Sequence, residues 1–173
     1  TLTGSAGIDT ITGTDYADTI TGGAGVDIIA AGTGNDNIVY AATADFVAGN
    51  AVVDLVNGNA GADAIVISNN GDATFTLTNA DVLGRATGIQ TISAAATDQI
   101  ISLSLNAGVR TVGFTTVDLS GDTTATANNV INADAITGSI GMTLTGSAGI
   151  DTITGTDYAD IITGGAGVDI IAA

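Results

Sequence analysis

Aspartates stand at Asp9, Asp18, Asp27, Asp36, Asp45, Asp54, Asp63, Asp72 and Asp81, one carboxylate every nine residues. The chemistry open to such a series is the binding of hard divalent cations. Asp is short, favours turns and offers two oxygens to an ion. All eighteen acidic residues are Asp; the chain has no Glu, Lys or His, and Arg85 and Arg110 are its only basic side chains. Acid used for solubility alone would be expected to include Glu. Without His, Cys, Lys or Glu the usual general bases and nucleophile pairs are missing, which argues against an enzyme. The formal net charge of −16 excludes nucleic acid and anionic membranes as partners, because both need patches of Lys and Arg. Divalent cations are the natural counter-charge.

A step of nine matches neither the helical period nor the two-residue alternation of a strand. A large apolar residue follows most of these aspartates two places later: Ile11, Ile20, Ile29, Ile38, Val47, Val56, Ile65 and Leu83. The elements that position the carboxylates are therefore near-identical turns of a coiled backbone, each with a minimal strand whose central side chain points inward. A second, longer repeat lies over this one. Residues 143 to 173 repeat residues 1 to 31 with a single change, Thr19 to Ile161. The long period of 142 residues leads us to expect one window on a larger tandem array. There is no Cys and no Pro, so stability must come from packing, hydrogen bonds or metal. No apolar run approaches the roughly 18 to 20 residues of a membrane span, and no basic flank with an apolar core opens the chain, so an export signal is expected elsewhere.

Residues 4 to 39 divide into four nonapeptides, GSAGIDTIT, GTDYADTIT, GGAGVDIIA and AGTGNDNIV, and a fifth, GNAGADAIV, occupies 58 to 66. They resemble the glycine-rich calcium-binding repeats of RTX proteins, G-G-x-G-x-D-x-U-x with U a large apolar residue. The resemblance implies an all-β fold, a right-handed parallel β-roll stabilised by calcium, in which two nonapeptides make one turn. It also implies several Ca²⁺ ions held between turns by backbone oxygens and by Asp side chains of nonapeptides i and i+2. Asp9 would pair with Asp27, Asp18 with Asp36, and Asp151 with Asp169. The metal-site residues so implied are Asp9, Asp18, Asp27, Asp36, Asp63, Asp151, Asp160 and Asp169, with the turn glycines Gly7, Gly25, Gly34, Gly61, Gly149 and Gly167.

The pattern weakens elsewhere. Asp45, Asp54, Asp72 and Asp81 keep the step but have Thr43, Val52, Asn70 and Asn79 where the fourth-position Gly belongs. Residues 40 to 48 read equally as a short helical or looped excursion that preserves the count. GIQTI at 88 to 92 and GVRTV at 108 to 112 align with GIDTI at 7 to 11, Gln90 and Arg110 replacing the Asp. We therefore expect a calcium roll over 1–66, a longer-rung and mostly metal-free solenoid over 67–142, and the start of the next calcium roll over 143–173. A separate β-sandwich built from the alternations at 100–105, 112–119 and 140–144 is the competing account of the middle.

Like-placed carboxylates on rungs about 4.8 Å apart repel by roughly 1 kcal/mol per pair in water, and by about 3 to 4 at an effective dielectric near 20. Such a column opposes folding until a cation enters it. Extracellular calcium modules bind at about 10⁻⁴ to 10⁻³ M, so folding is expected to follow export. The resemblance points to a self-assembling protein of the bacterial cell surface, a surface layer or filament, whose partners are calcium and copies of itself. The alternative is a spacer repeat of an adhesin stalk. Ile28, Val39, Phe46, Val66 and Ile170 are expected to face outward as an apolar stripe for lateral packing. No direct membrane insertion is expected. An ice-binding Thr ladder is not built, because Thr10 and Thr12 stack under Ile28 and Ala30.

Overall fold

The computed structural model describes residues 1–48, 51–68, 74–78, 84–95, 99–109, 113–126, 128–138 and 141–173. Each nonapeptide supplies a strand of about three residues because only its x-U-x part is free of the glycine turn. Thr10–Thr12, for instance, buries Ile11 and exposes both threonines. A strand so short has no stable existence alone, and stacking on the next turn is what fixes it.

Among the described residues there are nineteen strands, numbered in chain order, and seventeen of them form parallel stacks. One sheet runs the length of the molecule: β1 (Leu2–Thr3), β3 (Thr19–Thr21), β5 (Asn37–Tyr40), β9 (Ala64–Ile67), β12 (Thr91–Ala94), β14 (Thr116–Asp118), β16 (Thr143–Thr145) and β18 (Ile161–Thr163). A four-stranded sheet faces its first part, built from β2 (Thr10–Thr12), β4 (Ile28–Ala30), β8 (Leu55–Asn57) and β11 (Ala86–Thr87). A five-stranded sheet faces the rest, with β10 (Thr74–Leu77), β13 (Ile100–Asn106), β15 (Val130–Ala135), β17 (Thr152–Thr154) and β19 (Ile170–Ala172). The four-stranded sheet ends with β11 and the five-stranded one begins with β10, both between β9 and β12 in the chain, while the long sheet continues through. The excursion expected at 40 to 48 is a helical turn, α1 (Thr43–Phe46), followed by the antiparallel pair β6 (Val47–Ala48) and β7 (Ala51–Val52).

Register makes the core. Ile20, Ile38, Ile65, Ile92, Val117, Leu144 and Ile162 follow one another in the long sheet, and Leu103, Ile131, Ile153 and Ile171 in the five-stranded one. Most of these stand two places after an Asp or after Gln90 or Asn129, whereas Leu103, Val117 and Leu144 follow Ile101, Thr115 and Met142; Val47 and Val56 are buried, Ile171 in the last strand is exposed, and Leu83 lies outside the described residues. The fold is therefore the all-β, parallel β-roll or solenoid expected, including in the middle: β12, β14 and β16 are parallel neighbours in one stack, which excludes a separate sandwich. Arg110 lies outside the described residues, and one expectation is corrected. Phe46 is fully buried rather than outward, because α1 turns it in between Tyr40 and Phe75, with ring centroids 4.7 and 6.5 Å away. Ile28 and Ile170 are exposed as expected, while Val39 and Val66 are half-buried.

Candidate metal centre

Each carboxylate first serves the stack itself. The Asp9 N–H donates to Asp27 Oδ1 at 2.9 Å, the Asp18 N–H to Asp36 Oδ1 at 2.8 Å, and the Asp151 N–H to Asp169 Oδ1 at 3.0 Å. These are the three i, i+2 pairs expected, joined across 18 residues. The Met142 N–H donates likewise to Asp160 Oδ1 at 2.7 Å. The series then lengthens: Asp27 reaches Asp54 at 2.8 Å and Asp36 reaches Asp63 at 2.9 Å, each across 27 residues. The excursion adds the extra length. Asp45 therefore keeps the step of nine yet sits in α1, out of the column.

The second carboxylate oxygen separates two kinds of turn. In one, Ser or Thr stands four places before the Asp and its own turn satisfies the acid. The Ser5 N–H and hydroxyl donate to Asp9 Oδ2 at 2.6 and 2.9 Å, and those of Thr14 to Asp18 Oδ2 at 2.7 and 2.8 Å. Ser147 does the same for Asp151, and Thr156 gives its N–H to Asp160 Oδ2 and its hydroxyl to Oδ1. The Thr14 N–H, then its hydroxyl, hold the Asp18 carboxyl below the usual range. In the other kind, the residue four before the Asp has a positive φ: Gly23 (99°), Gly32 (109°) and Asn59 (65°). Their turns hand Asp27, Asp36 and Asp63 no such donor. Oδ2 of all three is buried without a hydrogen-bond partner, and burial pushes the Asp63 carboxyl up. A buried, unpartnered carboxylate oxygen is costly unless a cation meets it.

The glycines bring oxygens to the same place. A Cβ on Gly23 would overlap the Ser5 carbonyl oxygen, one on Gly25 that of Gly7, and one on Gly61 that of Gly34. In the second copy, Gly165 and Gly167 stand likewise against the carbonyls of Ser147 and Gly149. Turn i thus aims main-chain oxygens at turn i+2. Gly25, Gly34, Gly61 and Gly167 have φ between 109° and 148°, where a side chain is strained. Among the described residues no three acidic side chains converge, so an ion here would take carbonyl oxygens with one or two carboxylates. That is a hard, oxygen-only donor set, which fits Ca²⁺. The sequence reading missed Ser5, Thr14, Gly23, Gly32 and Asn59. Their signal was the second nonapeptide position, Ser or Thr in some repeats and Gly or Asn in the others.

The column ends where its acids find other partners. Asp54 is fully buried and accepts the Tyr40 hydroxyl on Oδ2 at 2.9 Å. Burial pushes its carboxyl up, and pushes the Tyr40 phenol up as well. One rung later, Gln90 Oε1 accepts the Asp63 N–H at 2.7 Å in the slot of an acid. Asn129, also unforeseen, fills a slot before Asp151: its N–H donates to Asp151 Oδ1 at 3.1 Å. Asp72 and Asp81 lie outside the described residues.

The family model described as RTX calcium-binding nonapeptide repeat (4 copies) matches residues 3–38, 41–66 and 145–173, more than half of the chain. No curated protein and no solved structure matches it.

Proposed function

Because the chain belongs to the RTX calcium-binding nonapeptide-repeat family, we propose that it is a structural repeat segment of a secreted, self-assembling cell-surface protein, a surface layer or filament, whose folding and assembly depend on calcium. Repeats of this family bind calcium and are typical of secreted, extracellular proteins. The observation that carries the reading is the set of three buried carboxylate oxygens without partners, at Asp27, Asp36 and Asp63. The chain's own residues align the turns, exclude water from Oδ2 and aim the Ser5, Gly7 and Gly34 carbonyls at the following turn. Bound calcium supplies the positive charge that this arrangement lacks. Asp169 is the remaining carboxylate of the proposed sites, while Asp9, Asp18, Asp151 and Asp160, already met by Ser5, Thr14, Ser147 and Thr156, order the turns around them; the roll over 1–66, the metal-free middle over 67–142 and the second roll from 143 form the proposed division. The segment has no catalytic role. No helix among the described residues is long and apolar enough to cross a membrane.

Lateral assembly has its own support. Ile28 and Leu55 are exposed neighbours on the four-stranded sheet, and Ile170 is exposed on the five-stranded one. An adhesin spacer would need the stack but not this stripe. The test is electron microscopy and light scattering of the chain in millimolar calcium and in EDTA. Ordered assemblies are expected with calcium only, and Ile28→Asp with Leu55→Asp is expected to keep the calcium-dependent circular dichroism while abolishing them. Assembly unchanged in that double variant would remove the stripe from the contact, and no assembly of the unaltered chain in calcium would favour the spacer.

A further inference from the structure

The rungs that bear Asp27, Asp36 and Asp63 and those that bear Asp54, Gln90 and Asn129 share strand register, yet their polar groups are completed differently. Asp54 occupies the same column as Asp9 and Asp27, and its Oδ1 accepts the Asp27 N–H as Asp27 accepts that of Asp9. Its Oδ2, which in Asp27 has no partner, is taken by the Tyr40 hydroxyl. Tyr40 is itself buried, fixed against Phe46, so the hydroxyl has a defined aim. On the next rung Arg85, just before β11, stands beside that column, and its Nε donates to the Asp54 carbonyl at 3.4 Å.

In the other column Gln90 follows Asp63. Its amide oxygen caps the rung below, and its Nε2 donates to the Gly88 carbonyl at 3.1 Å. At the far side of the middle region, Asn129 Oδ1 accepts the Ile101 N–H at 2.7 Å, and its Nδ2 donates to the buried Asp122 Oδ2 at 3.1 Å. Both amides keep the acceptor that the stack requires and add a donor where a carboxylate would add charge.

We propose that Tyr40, Gln90 and Asn129 decide where calcium stops: Tyr40 donates to the second oxygen of Asp54 in the column, and Gln90 and Asn129 put a neutral amide, its N–H₂ already partnered, in the slot of an acid, so the rungs between them fold without the ion. The proposal rests on the reading of Asp27, Asp36 and Asp63 as calcium ligands. Asp54, though fully buried in the acidic column, is then not a ligand, because Tyr40 already answers the oxygen that an ion would need.

The test counts bound ions per chain by equilibrium dialysis against millimolar calcium, using the 173-residue chain and confirming folding by far-UV circular dichroism. Asp54→Asn is expected to leave the count unchanged, and the loss of one ion would overturn the proposal. Tyr40→Phe, which leaves Asp54 Oδ2 in the condition of Asp27 Oδ2, is expected to gain one ion; an unchanged count in the folded variant overturns the role of Tyr40. If Tyr40→Phe does not fold, Asp54→Asn decides. Asp63→Asn separates the two readings: it should lose one ion, and if it loses none the calcium assignment of the column fails, whatever the other variants do.

Discussion

The turns around Asp27, Asp36 and Asp63 and the rungs around Gln90 and Asn129 do the same mechanical work by different means. In both, a side-chain oxygen caps a backbone N–H of the rung below, at 2.7 to 2.9 Å. In the first, the remaining carboxylate oxygen is buried and unanswered; in the second, an amide N–H₂ finds an acceptor inside the protein. The stack therefore tolerates either a charged slot with a cation or a neutral slot without one. Strand pairing sets the shape, and the slot residue sets what the shape depends on.

The comparison can be broken most severely at the joint between the two regions. Ile92 is buried between Ile65 and Val117, so Ile92→Ala should cost about 2 to 5 kcal/mol. Thermal melts should show that loss equally in calcium and in EDTA; a loss seen only in calcium would tie the middle to the ion. Gly23→Ala acts on one side alone. At φ 99° and against the Ser5 carbonyl, the methyl group should cost about 1 to 3 kcal/mol. It should also raise the calcium concentration at the folding midpoint, measured by circular dichroism titration. The smallest effect is that of pH on the calcium-free chain. Burial holds the Asp54 and Asp63 carboxyls above their ordinary value, so their contribution to stability is present at low pH and is lost as pH rises through the raised values. Asp18, held low by Thr14, works in the opposite direction. Without calcium the melting temperature should be higher near roughly pH 4 than at pH 7, and millimolar calcium should remove the difference.

Much of this was legible in the chain because two periods are independent of tertiary context. The apolar residue two places after each slot must point inward in any stacked coil, and Ile11, Ile20, Ile29, Ile38 and Ile65 do so. The glycines mark turns that only a close approach of backbones requires. Counting failed where an excursion had the same length as the repeat. Asp45 and Asp54 share one spacing, yet α1 lifts Asp45 out and Asp54 rejoins the column under Asp27. The sequence also hid Tyr40 and Asn129, since neither the burial of a phenol nor the partner of an amide follows from local pattern. Asn129 had one readable sign, the Ile131 that stands two places after it as Ile153 stands after Asp151. Phe46 was misjudged for the reason that Asp45 was: strand alternation does not apply within a helical turn.

The central claim is that calcium dependence is confined to the turns whose carboxylates lack protein partners. Amide hydrogen exchange of the 173-residue chain, followed by mass spectrometry in millimolar calcium and in EDTA, tests it most directly. Chelation is expected to release protection in peptides covering residues 22–36, 58–66 and 164–173 while peptides from 99–109 and 128–138 stay protected. Loss of protection to the same extent along the whole chain, or no loss anywhere, would contradict it.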